Sequence, residues 1–202
     1  MKKSTAFQLA LLVLVILIGA IVIPNAPEIG DFFALKSYQP SREVEQIASD
    51  AGMSEKGRRL FYRFDPIFTD QATISSFCGR AKEPLGCVEG RRIYILASNN
   101  EEEYQQSVVT AAHEMLHVAY SRLSEKERTQ IDELIQNNLE NFGPDISEDI
   151  QAYDKENDEV IRDESHSIVG SEVEELPKDL ENHYKTYFSN RQKSVEAYSL
   201  SK

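Results

Sequence analysis

Apolar positions crowd the start of the chain and then settle into helical and strand-like spacings. Phe7 to Ile23 reads FQLALLVLVILIGAIVI, uncharged and almost wholly apolar, behind Lys2 and Lys3. At about 1.5 Å of rise per residue such a run just crosses a bilayer core, so residues 1–23 are predicted to form an N-terminal transmembrane anchor. A cleaved signal peptide has the same outline. Cuts after Ala20 or Ala26, however, would put Ile18 or Pro24 where a small residue is needed, so an uncleaved anchor is preferred. The basic flank stays in the cytoplasm, and Glu28, Asp31 and all that follows go across. The expected location is thus a single-pass cell-membrane protein with an extracytoplasmic domain. Residues 24–37 hold two prolines and no periodic pattern, and read as a linker to one domain over 38–202.

Within that domain, Val44, Ile47, Ala48 and Ala51 fall at i, i+3, i+4 and i+7 between Ser41 and Gly52, predicting an amphipathic helix with a signal at each end. A second short helix is predicted over 54–62, before Asp65 and Pro66 break it. The stretch 77–97 reads as a β-hairpin, with one arm into Cys78, a turn through Pro84 to Gly90, and a return arm RRIYILA that sets Ile93 and Ile95 on one face.

From Glu101 to Arg122 the spacing is helical, opened by Asn99 or Asn100 and by three glutamates that suit the positive end of the helix dipole. Its VVTAAHEMLHVAY half is apolar on nearly every side, which predicts a central, buried helix. SEKE at 124–127 is a capping box for a helix through Ile131, Leu134, Ile135 and Leu139, stopped by Gly143 and Pro144. Another helix is predicted from Ser147 through Ile150, Tyr153 and Ile161 to about Ile168, ending at Gly170. A last one starts at Pro177, with Leu180, Tyr184, Tyr187 and Phe188 on one face. The expected class is α+β: a mostly helical domain with a small hairpin before its central helix, plus the transmembrane helix.

Length and charge narrow the function. The 202 residues leave room for one anchor and one catalytic domain, and the formal net charge of −12 repels phosphate, so nucleic acid is not an expected partner. Cys78 and Cys87 flank a Gly- and Pro-containing stretch and would face an oxidising space, which predicts a disulfide contributing about 2 to 3 kcal/mol. Their spacing is too wide for paired zinc cysteines.

The chemistry centres on HEMLH. His113 and His117 lie four apart on a helix, so their imidazoles leave the same side one turn apart and can grip one ion, with Glu114 beside them. Two neutral imidazoles suit zinc, and a catalytic zinc needs a third protein ligand and an open position. A buried apolar helix is otherwise a costly place for two imidazoles and a carboxylate.

On these residues the chain resembles the zincin metallopeptidases, in particular the gluzincins. The likeness runs from about Arg91 to Glu172: the strand RRIYIL, then HEMLH on a buried helix, then a glutamate-bearing helix. The segment DESHSIVGSE is also similar to a pattern in small exported bacterial proteins of unassigned activity. The resemblance implies a zinc-dependent endopeptidase whose peptide substrate pairs with the strand before the helix, and a third ligand supplied by a later glutamate. The matching position is Glu164, with the small Ser167 three places on, although Ile168 stands where the family often has Asp. Glu172 and His166 are the alternative third ligands by spacing and helix phase. Glu114 would be the general base, and His166, His183 or Tyr184 could donate to a developing oxyanion. Two other readings remain: a membrane-tethered scaffold with a structural or vestigial metal site, and a zinc hydrolase of non-peptide envelope amides.

Overall fold

A computed structural model describes residues 7–8, 11–16, 26–79, 84–151, 153 and 157–202. They form two units, Met1–Gln39 and Pro40–Lys202, a boundary two residues beyond the expected domain start. In the first unit, residues 7–8 and 11–16 are helical with exposed side chains. The rest of the expected anchor lies outside the described residues, and among those described no helix is long and apolar enough to cross a membrane. The segment expected to be an irregular linker instead carries helix α1, Ala26–Leu35. Pro27 falls in its first turn, where a missing N–H breaks no helical hydrogen bond.

The second unit opens with two capped helices at the expected places. In α2 (Arg42–Asp50) the Ser41 side chain accepts from the Val44 N–H, and in α3 (Glu55–Arg63) Ser54 does the same for Gly57. Val44, Ile47 and Ala48 turn inward, as their spacing requires. Gly52 follows with φ +67, and a Cβ there would lie 1.9 Å from the Asn190 carbonyl oxygen, so only glycine fits.

The sheet departs from the expectation. It has three strands in the order β1-β3-β2: β1 (Ile67–Thr69) runs parallel to β3 (Arg92–Leu96), and β2 (Gly86–Glu89) runs antiparallel to it. Cys78 does not enter a strand; it caps helix α4 (Gln71–Phe77), and the true hairpin turns at Gly90 and Arg91. Strand β1 escaped notice because three residues carry no readable alternation. As a result β3 is central rather than an edge, with Ile93, Tyr94 and Ile95 all buried. A strand covered on both faces reads as a continuous apolar run, which is what RRIYIL shows.

The core is organised on α5 (Glu101–Ser121), capped by Asn100 and buried along Ser107–Ala112, Glu114–Leu116 and Val118–Tyr120. Helix α6 (Glu125–Gln136) begins with the expected capping box, Ser124 with Glu127, and a short 3-10 turn (Leu139–Asn141) follows. The single helix expected from Ser147 is two: α7 (Pro144–Gln151) and α8 (Asp158–Glu172), the latter capped by Asn157. Helix α9 (Lys178–Tyr184) starts behind Pro177, and Leu180, Tyr184, Tyr187 and Phe188 are buried as predicted. Helix α10 (Gln192–Leu200) went unread because it buries only the small or modest side chains of Ser194, Val195 and Ala197. The arrangement is α+β and mostly helical.

Gly170 does not end α8, which runs two residues beyond it. A Cβ at Gly170 would lie 2.4 Å from Tyr184 Cε1 and 2.5 Å from Leu116 Cδ1, so the glycine marks where α8, α5 and α9 meet most closely. Tyr184 and Leu116 are fully buried and cannot swing aside. Gly170→Ala should therefore lower stability by about 1 to 3 kcal/mol, the usual range for an overpacked core, despite the better helix propensity of alanine. Urea unfolding checks this; an unchanged or raised midpoint would contradict the close contact.

Candidate metal centre

Helix α5 presents His113 and His117 toward α8, where Glu164 faces them. The two imidazole Nε2 atoms are 3.0 Å apart, and Glu164 Oε2 lies 3.3 Å from His113 Nε2 and 3.7 Å from His117 Nε2. A tetrahedral ion bound at about 2.0 to 2.1 Å by each ligand holds those ligands about 3.3 Å apart, so the triangle has the dimensions of a zinc site. Among the described residues these three form the one His/Cys/Asp/Glu group close enough to share an ion. Their side chains keep 16 to 18% exposure, which leaves the centre open on one side. Glu164 Oε2 and Glu114 Oε2 are buried without hydrogen-bond partners. Buried carboxylate oxygens are costly in that condition, and a cation among them removes the cost.

Outer groups orient the two imidazoles. Asp163 Oδ1 is 2.9 Å from His117 Nδ1, and because a carboxylate can only accept, that nitrogen carries the hydrogen and Nε2 keeps its lone pair for the centre. Ser167 Oγ adds a contact to the same nitrogen at 3.3 Å. Glu172 Oε1 is 3.9 Å from His113 Nδ1, so it stands behind the ring and not among the converging atoms. The expected alternative ligand thus occupies the outer position, brought there because α8 stays helical past Gly170. Asp163 and Tyr153 were not singled out in the sequence: α8 offers several acids, and nothing in their spacing says which one meets His117.

Electrostatics follow from burial and proximity. Burial pushes the Glu114 carboxyl up, opposed by His117 and His113. Burial works against a charged His117, yet the Asp163 hydrogen bond and the Glu114 and Glu164 carboxylates outweigh it and raise the imidazole to about 9. Burial works against the Glu164 carboxylate, but the adjacent imidazoles of His113 and His117 outweigh it and hold Glu164 below the usual carboxylate range. Burial takes Glu172 up to about 7. Burial and the nearby Glu164 carboxylate raise the Tyr153 phenol.

His166, expected as a possible ligand or oxyanion donor, is not part of the centre. It lies two residues past Glu164, about 200° around the helix. It is fully buried, with Nε2 2.9 Å from His183 Nε2 and Nδ1 unpartnered. Its ring contacts Tyr120 and Tyr184, and the Tyr184 hydroxyl donates to the His166 carbonyl at 2.8 Å. His183 and Tyr184, the other expected donors, belong to this same cluster.

No family model matches the chain, and no curated protein or solved structure matches it.

Two outcomes follow from these contacts. Asp163→Asn should weaken zinc binding by about 10- to 100-fold while leaving the fold intact, as loss of a carboxylate that orients a ligand does. Competition against a chelating dye measures this, and unchanged affinity would remove Asp163 from the centre. Burial lowers His183 to about 4 from an ordinary 6.5. The unfolded chain therefore takes up a proton that the fold resists, and the His183 share of stability, present above 6.5, is lost as pH falls toward 4. Because Glu172 titrates in the opposite sense, the effect should be read as a difference: the stability of His183→Gln relative to wild type should improve by up to about 1.4 kcal/mol per pH unit across that window. Parallel urea curves at pH 7 and pH 5 with an unchanged difference would contradict it.

Proposed function

We propose that the chain is a zinc-dependent peptidase, with His113, His117 and Glu164 as metal ligands and Glu114 as general base. The observation that carries this reading is the convergence of three ligand atoms at zinc spacing beside the buried, unpartnered carboxylate of Glu114. When bound, zinc supplies a Lewis acid that polarises the scissile carbonyl and makes water more acidic. Glu114 takes the proton of the attacking water and returns it to the leaving amine, a cycle suited to a carboxyl whose proton affinity burial has raised. Asp163 holds His117 in the ligating tautomer, and Tyr153 offers a phenolic hydrogen at the Glu164 side of the centre.

The sheet supports a peptide as substrate. Leu96 N–H donates to Leu85 O at 2.8 Å, so in the β2–β3 register Leu85, Cys87 and Glu89 spend their backbone groups on β3. Gly86 and Val88 turn theirs to the free edge. An extended chain added there would pass Glu114, whose Oε1 is 3.3 Å from where a Gly86 Cβ would sit. The pairing edge is therefore β2, not the RRIYIL strand. The apolar run behind Lys2 and Lys3 supports attachment to a membrane with the domain outside the cytoplasm, and the Cys78–Cys87 disulfide suits an oxidising compartment.

The test is zinc content and peptide hydrolysis of the full chain. Glu114→Gln should keep one zinc per chain and lose about 10²- to 10⁴-fold in kcat. Glu164→Ala should empty the centre, whereas Glu172→Ala should cost only about 10- to 100-fold in affinity. Wild-type protein without zinc, or Glu114→Gln with full activity, would refute the assignment; hydrolysis of small envelope amides but not of peptides would redirect it to that substrate class.

A further inference from the structure

Strand β2 is short and, among the described residues, paired on one side only, the condition under which a strand frays. Its residues alternate between two surroundings. Gly86 faces α5, where a Cβ would lie 2.5 Å from Thr110 Cγ2 and 2.7 Å from the Tyr94 carbonyl oxygen, and Val88 packs on the main core. Cys87 points to the opposite face, into a small separate cluster whose buried members are Ile74, Cys78 and Tyr94. There it is bonded to Cys78 at the C-terminal end of α4. The covalent brace thus sits between the two residues whose backbone groups turn to the free edge, and on the side away from α5. The three converging ligand atoms, by contrast, all come from α5 and α8.

We propose that the Cys78–Cys87 disulfide is a positioning element for substrate: it holds β2, whose Gly86 lies against Glu114 and whose Gly86 and Val88 backbone groups turn to the edge, in place for an extended peptide, so that opening it weakens capture of that peptide while the metal centre stays filled. This rests on the peptidase reading above. Three buried side chains make a small cluster, so apolar packing alone gives β2 little restraint on that face. The exposed Phe77, at the same end of α4, stacks on Tyr94 of β3 at 4.8 Å, so α4 is anchored to the central strand and can brace β2 through the disulfide. Opening by a trialkylphosphine is balanced: the phosphine gains an oxygen from water and becomes its oxide, and the cystine takes two electrons and two protons to give two thiols.

The experiment compares zinc-loaded full chain in three forms: oxidised, phosphine-reduced, and the double variant Cys78→Ser, Cys87→Ser. Zinc per chain, amide exchange over 84–90, and kcat and KM for a long unstructured peptide and for a blocked dipeptide are measured on each. Reduction and the double substitution should leave zinc unchanged and speed amide exchange in β2 about tenfold or more. They should raise KM for the long peptide about tenfold with kcat within about threefold, and leave the blocked dipeptide unaffected. Unchanged exchange and KM would overturn the proposal, and so would loss of zinc with exchange rising throughout the domain, which would make the bond a general stabiliser. If the oxidised protein hydrolyses neither substrate, the peptidase reading itself fails; if it hydrolyses both equally well in all three forms, only the positioning role does.

Discussion

The closeness of α8 to α5 is the constraint on which the rest depends. Gly170 lets the two helices approach until Leu116 and Tyr184 fill the space a side chain would have taken. Nearly two turns earlier on α8, that approach sets Glu164 opposite His113 and His117, and one residue before that it sets Asp163 against the far nitrogen of His117. A wider crossing would pull Glu164 out of the one group of described residues whose ligand atoms converge. The site is thus a consequence of core packing, and a methyl group in the wrong place would be felt in both.

Bringing these residues together concentrates charge. Glu114, Asp163, Glu164 and Glu172 crowd two imidazoles in a largely dry region, and their proton affinities split accordingly: Glu114 and Glu172 are driven up by burial, while His117 is raised by the acids around it. Proton sharing of this kind partly neutralises the cluster, and a divalent cation does so more completely. The two solutions compete for the same lone pair, since His117 Nε2 cannot hold a proton and a metal at once.

Much of this was legible in the sequence, for identifiable reasons. HEMLH fixes its own geometry, because four residues on a helix always bring two side chains to one face, whereas Glu164 came only from the likeness to gluzincins, with Glu172 and His166 left open beside it. Ser41, Ser54 and the Ser124–Glu127 pair cap helices by local hydrogen bonds that need no tertiary knowledge. What failed was non-local. Gly170 looks like a stop in one dimension and is a contact point in three. His166 sits at the right spacing for a ligand, but helix phase sends it into the cluster with His183, Tyr120 and Tyr184. Strand β1 pairs in parallel with a strand two elements away, and so short a run signals nothing until its partner is known.

The two halves of the site are held by different physics. The triangle of His113, His117 and Glu164 depends on helix against helix, α5 and α8 meeting through buried apolar residues. The free edge of β2 depends on one ladder of hydrogen bonds, a glycine pressed against α5 and a covalent link to α4. Glu114 stands where they join, on the rigid helix but within reach of the softer strand. On the peptidase reading proposed above, such a division would keep the ligand geometry fixed while the strand yields to admit a chain.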